Sequence, residues 1–220
     1  MSDELVAELL DAPDALLIIN RVQALLNDEQ KRRDAFYKWL TDDVKAEFIN
    51  GEVIMHSPVK RSYLRVSGNL STLLRLYVQF NDLGEVDVEK AMVTLTRNDY
   101  EPDICYWRKE VADDFDDDTM QHPAPDLVIE ILSRGTAKRD RGIKFEDYAA
   151  HGVREYWLVD PRRQVVEQYK LDEAFMAFEA VGTFKRTDTI TALALAGFTI
   201  PVRAIFDRQA NQDTLRTLLR

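Results

Sequence analysis

An α/β fold, with a central mixed β-sheet flanked by helices and an N-terminal helical extension, is what this 220-residue sequence predicts. Three observations lead there. The apolar residues change period near residue 46, from helical spacing to strand alternation. Two proline–aspartate pairs, Pro102-Asp103 and Pro125-Asp126, stand at the heads of apolar strands. Helix, several strands, helix and strand then follow one another, the order of a mixed α/β plan with a single sheet.

Residues 1–41 read as the helical extension and 42–220 as the main domain. Leu5, Leu9 and Leu10 form a short apolar face. After Pro13-Asp14, Leu16, Ile19, Val22, Leu25 and Leu26 recur at helical spacing. Asn27-Asp28 predicts a break with a cap, and Phe36, Trp39 and Leu40 give a third face. Ala46–Ile49 and Glu52–Met55 flank Asn50-Gly51, a two-residue hairpin turn. A helix is expected over 62–80, with Leu64, Leu70, Leu73, Leu74, Tyr77 and Val78 on its apolar side. Strands are expected over 86–95, 104–107 and 127–132, then a helix from about Thr136 to His151 that stops at Gly152. Further strands follow at 155–159 and 165–170, around the Asp160-Pro161 turn. Phe178, Val181, Ile190, Leu193 and Ile200 suggest another pair, and the tail from Ala204 reads helical.

An apolar fraction of 45% with 31% charged residues is ordinary for a soluble globular protein. No stretch approaches the ~18 apolar residues that span a bilayer. The start, Met1-Ser2-Asp3-Glu4, lacks the basic flank of a signal peptide, so a cytoplasmic location is expected. Cys105 is the single cysteine, which rules out an internal disulfide and a cysteine-based zinc cluster. Its mid-strand position predicts a buried structural thiol.

The net charge of −10 works against nucleic-acid binding, where phosphate contacts normally dominate. The distribution is uneven, however. Arg134, Lys138, Arg139, Arg141 and Lys144 face one acid, Asp140, and Lys60, Arg61 and Arg65 form a second basic group. A basic rim acts over the ~8–10 Å that screening allows. The acidic run from Glu110 to Asp118 reads as a solvated loop: it lacks the glycine and distal glutamate of a calcium loop.

Chemistry concentrates in two strings, Glu101-Pro102-Asp103-Ile104 and Pro125-Asp126-Leu127-Val128-Ile129-Glu130-Ile131-Leu132. A carboxylate inside an apolar strand is costly to desolvate unless it is paired, hydrogen-bonded or bound to a cation. Alternation sets Asp126, Val128, Glu130 and Leu132 on one face. If the Asp103 strand lies alongside, Asp103 and Glu130 can share one hard cation, and Mg²⁺ accepts one or two carboxylates beside water and phosphate oxygens. The competing role for Asp103 and Asp126 is to cap turns after proline. Lys144 lies on the following helix and could lower its ammonium into the site, with Lys138 as its competitor.

These residues resemble a known family. Glu47-Phe48-Ile49-Asn50-Gly51-Glu52, Pro102-Asp103-Ile104, the Pro125–Ser133 string, Lys138-Arg139-Asp140-Arg141-Gly142-Ile143-Lys144 with Tyr148, and Gly152-Val153-Arg154-Glu155-Tyr156-Trp157-Leu158-Val159-Asp160-Pro161 are similar to the Uma-type "putative restriction endonucleases" of the PD-(D/E)XK nuclease-like superfamily. The resemblance covers roughly residues 40–206. It implies a restriction-endonuclease-like fold and Mg²⁺- or Mn²⁺-dependent cleavage of DNA. By that resemblance Asp103 and Glu130 are the acids that hold the metal, Glu47 is an additional acid of the metal shell, and Lys144 is a lysine migrated from the position of Leu132. Asp126 and Asp140 match positions typical of the family, without an assigned role. Two departures stand out: Tyr63 replaces a histidine common after the first hairpin, and Arg134-Gly135 alters a serine-rich turn.

The favoured reading is therefore phosphodiester hydrolysis by Asp103, Glu130 and Lys144, with Lys138, Arg139, Arg141, Lys60 and Arg61 tracking the DNA backbone. A homodimer would serve duplex cleavage. The alternative is a non-catalytic interaction module that keeps the fold with a degraded site. A two-carboxylate glycosidase would need exposed aromatics, for which Tyr106 and Trp107 are the candidates.

Overall fold

The computed structural model describes residues 2–41 and 43–219. They form two compact units that meet between Met55 and His56, so the first hairpin belongs with the N-terminal helices.

The first unit contains α1 (Ser2–Asp11), α2 (Ala15–Trp39), β1 (Ala46–Ile49) and β2 (Glu52–Met55). The expected break at Asn27-Asp28 does not occur, because both side chains find helical partners. Gln23 Nε2 donates to Asn27 Oδ1 at 2.9 Å, and Asp28 pairs with Arg32 at 3.4 Å, each one turn away. Without glycine or proline nothing stops the helix. Asn50 and Gly51 take φ of 51° and 82°, the left-handed pair that a tight hairpin turn requires. Arg32 Nη1 donates to the Gly51 carbonyl at 2.9 Å, and the Phe36 and Phe48 rings lie 5.7 Å apart. These contacts fix the hairpin on the C-terminal half of α2.

The second unit opens with α3 (Arg61–Phe80). It continues through β3 (Gly84–Val88), β4 (Met92–Thr94), β5 (Asp99–Tyr100), β6 (Ile104–Arg108), α4 (Lys109–Ala112), β7 (Gln121–His122) and β8 (Leu127–Ile131). Next come α5 (Ala137–Asp140), α6 (Ile143–Ala150), β9 (Glu155–Asp160), β10 (Val165–Asp172) and β11 (Ala177–Lys185). The chain closes with β12 (Thr189–Thr191), β13 (Thr199–Pro201), α7 (Arg203–Phe206) and α8 (Arg208–Leu218).

Six strands form the main sheet in the order β11-β10-β9-β8-β6-β3. Only β8 and β9 run parallel, joined by α5 and α6 as a crossover. Three expectations change here. The strand expected over 86–95 is two strands, because Glu89 adopts a φ of 64° and turns the chain. β3 pairs with β6, whereas β4 pairs with β5 and β7. The helix expected over 136–151 is interrupted at Gly142, whose φ of −116° and ψ of −106° are not helical. The β12–β13 ribbon pairs separately, so one sheet does not gather every strand.

The apolar core covers one face of the six-stranded sheet. Val86, Ile104, Tyr106, Leu127, Ile129, Ile131, Trp157 and Val159 pack there against α3 and the C-terminal segment. Alternation turns Cys105, Trp107, Val128 and Glu130 to the opposite face. Among the described residues no helix is long and apolar enough to cross a membrane.

Candidate functional site

β8 is buried along its whole length and β6 along all but its last residue. Their antiparallel register pairs Tyr106 with Leu127, Cys105 with Val128 and Ile104 with Ile129. The register ends at that last pair, and Asp103 sits in a bend one residue before β6, where its side chain reaches β8 next to Glu130. The Ile131 amide donates to Asp103 Oδ2 at 2.6 Å, locking this end of β6 to β8, and the Glu89 amide reaches the Asp103 carbonyl at 3.1 Å.

Both acids are deeply buried, at 7% exposure for Asp103 and 3% for Glu130. Each has protein donors. Tyr63, near the start of α3, donates its hydroxyl to Asp103 Oδ1. Lys144 Nζ lies 2.8 Å from Glu130 Oε1, and the Tyr148 hydroxyl donates to the same oxygen at 3.3 Å. Lys144 and Tyr148 sit one turn apart on α6, so the crossover helix presents both to the acid face of β8. The ammonium also lies 5.5 Å from the Tyr100 ring centroid and 4.0 Å from Asp140 Oδ1. Between the two candidate lysines the geometry chooses Lys144: Lys138 is exposed on α5, whereas Lys144 is buried against Glu130.

The electrostatics follow from burial. Desolvation first, then the Asp103 charge and its hydrogen bond, push the Tyr63 hydroxyl far above its ordinary value. The Cys105 thiol is raised as well, by burial and then by the Glu130 charge, so it is the inert structural thiol the sequence predicts.

The other candidates are placed as follows. Asp126 lies four residues from Glu130 on the same face, roughly 13 Å along the strand. It accepts from the Arg108 amide at 2.9 Å and Arg108 Nη1 at 2.6 Å, with Arg154 Nη1 at 3.6 Å. Its contacts are those of a brace between strand ends. Glu47 is fully buried in β1 of the first unit. Lys60, Arg61 and Lys138 are exposed and Arg139 is half-buried. Arg141 is held by Glu167 through two contacts of 2.5 and 2.8 Å, which occupies its guanidinium fork. Tyr106 and Trp107 are buried, which removes the aromatic platforms of a sugar cleft.

Among the described residues, no three or more His, Cys, Asp or Glu side chains converge as a metal-binding group. Asp103 and Glu130 supply two carboxylates. Hard oxygen donors in that number suit Mg²⁺, which fills its remaining positions with water and substrate oxygens.

The class of fold is that of a nuclease-like α/β domain. The chain superposes with a TM-score of 0.66 on the crystal structure of a "putative nuclease belonging to DUF820" from Anabaena variabilis, over 79% of this chain and 96% of that one. The two are 18% identical, so the likeness concerns the fold. Residues 33–203 match the family described as "Uma2: Putative restriction endonuclease", and the chain belongs to that family. "Uncharacterized protein sll1609" of Synechocystis sp. is 29% identical over 144 residues, 63% of this chain and 80% of its own length.

Proposed function

We propose that this chain is a metal-dependent endonuclease that hydrolyses phosphodiester bonds in DNA, in the cytoplasm. One observation supports the reading: Asp103 accepts from the Ile131 amide, the residue next to Glu130, and the Lys144 ammonium of α6 lies 2.8 Å from Glu130. Asp103 and Glu130 would hold Mg²⁺ or Mn²⁺. Such an ion, when bound, lowers the pKa of water and neutralises charge on the scissile phosphate. Lys144 pairs with the buried Glu130 and is placed to stabilise phosphate charge. The Ile131 amide and Tyr63 hydroxyl fix the rotamer of Asp103. Lys60, Arg61 and Lys138 supply exposed positive charge for backbone contacts without base readout. With a net charge of −10, affinity for DNA should be modest and fall steeply with salt.

A second reading has a specific observation behind it. Asp103 accepts a hydrogen bond at each oxygen, and Glu130 is already ion-paired. A protein that used the fold only as an interaction module would show such internally satisfied acids.

Plasmid and single-stranded DNA incubated with Mg²⁺ or Mn²⁺ separate the two. Nicking is expected from the wild type, falling about 10²-fold or more in Asp103→Asn and Glu130→Gln, the scale of losing one preorganised electrostatic contact. Both variants should retain the wild-type circular dichroism. Cleavage that persists in both variants rules out this site, and no cleavage by any folded form favours the module.

A further inference from the structure

We infer that α1 and the N-terminal half of α2 are a self-association surface through which two copies of this chain pair. The observation is a large apolar face left open on an ordered helical pair. On α2, Leu16 and Leu25 are 75 and 58% exposed, and on α1 Leu5 and Leu10 are 67 and 66% exposed. Ile19, Val22 and Leu26 are also exposed. They continue, at spacings of three and four, a seam that runs on through Glu29, Arg33 and Phe36. That spacing is the pattern of a helix–helix interface. Its C-terminal half is buried in the single chain, and its N-terminal half is not.

Size and charge identify the occupant. The exposed apolar side chains on these helices present on the order of 1,000 Å², beyond the roughly 300–600 Å² of the largest patch on a typical monomer. Stable interfaces bury about 800 Å² per partner, so the face suffices for a dimer. Between Ala15 and Leu26 the only charge is Arg21. An uncharged apolar face is complementary to itself, as a two-fold interface demands. A bilayer surface is disfavoured, because residues 1–20 hold no lysine or arginine while Glu4, Glu8, Asp11 and Asp14 line the same segment. The family match begins at residue 33, so this surface lies outside the matched residues. Pairing would bring two copies of the Asp103–Glu130 site into one particle, a consequence that rests on the proposed nuclease reading.

Sedimentation equilibrium on the full chain at micromolar concentration is the test. The expected mass is twice the 25.4 kDa of one chain, reverting to one chain on dilution. The double variant Leu16→Glu/Leu25→Glu should dissociate at least about tenfold more readily, since two buried leucines are worth more than that factor. Leu64→Glu, a change at an exposed apolar site on α3, should remain paired. Amide exchange over residues 15–26 should slow as protein concentration rises, which reads the same surface without any substitution. A wild type that stays at one chain mass overturns the inference, whether or not it binds vesicles or another protein. So does a double variant that pairs as tightly as the wild type, or exchange over 15–26 that ignores concentration. None of these measurements reads DNA cleavage, so the surface and the site fail separately.

Discussion

Lys144→Ala is expected to destabilise the protein by about 3–5 kcal/mol, because it strands a buried charge. Glu130 is 3% exposed and its Oε1 receives the Lys144 ammonium at 2.8 Å. Asp140 lies 4.0 Å from the same nitrogen and is 1% exposed. Deleting the lysine therefore leaves two acids around an uncompensated gap in a dry place. Most of the cost belongs to that unpaired state and little to the pair itself. The double replacement Glu130→Met/Lys144→Met should consequently be less destabilised than Lys144→Ala, although it lacks both members of the ion pair. Urea denaturation of the three proteins in the presence of a chelator checks this. If the double variant is no more stable than the single one, the pair is held by something other than mutual neutralisation.

Glu155→Leu should be of similar size, with a different cause. Glu155 is fully buried and accepts four hydrogen bonds. Trp157 Nε1 and Gln168 Nε2 each donate to Oε1 at 2.6 Å, and the Leu193 and Ala194 amides each donate to Oε2 at 2.7 Å. Burial pushes its pKa up, and the four donors pull it back without cancelling the rise. Leucine leaves two buried donors and two part-buried ones unsatisfied, the buried ones at about 1–3 kcal/mol each before relaxation. The loss should reach about 4 kcal/mol or more, a large part of the ~5–15 kcal/mol that stabilises a typical domain. Glu155→Gln keeps an acceptor and should recover most of it. Equal unfolding midpoints for Glu155→Leu and the wild type would show that the network contributes nothing net.

Glu130 and Glu155 also show how far the sequence can be read. Both are carboxylates in apolar strands, the same local signal. Parity separates them only when the neighbouring strand is known: Glu130 lies opposite Leu158 and faces away from the core, whereas Glu155 lies opposite Leu127 on the core side. Apart from Trp157, its partners come from β10 and residues 193–194, 13 and 38–39 positions away, beyond any local pattern. Lys144 was legible because a crossover helix must pack on the sheet it leaves. Tyr148 was recoverable from its place one turn later on the same face. Tyr63 stood out only as a departure from the family pattern, and its contact with Asp103 depends on how α3 crosses the sheet. The unbroken α2 and the divided 86–95 strand were misjudged for opposite reasons. Asn27 and Asp28 found i,i+4 partners, and Glu89 took a left-handed backbone that its residue type does not announce.

Titration calorimetry with Mn²⁺, on wild type, Asp103→Asn and Glu130→Gln, measures most directly whether Asp103 and Glu130 form one hard-cation site. The expected result is a single binding event per wild-type chain that weakens at least about tenfold in each variant, the loss of one ligand from a two-acid set. Isotherms that are flat or identical across the three folded proteins would contradict it.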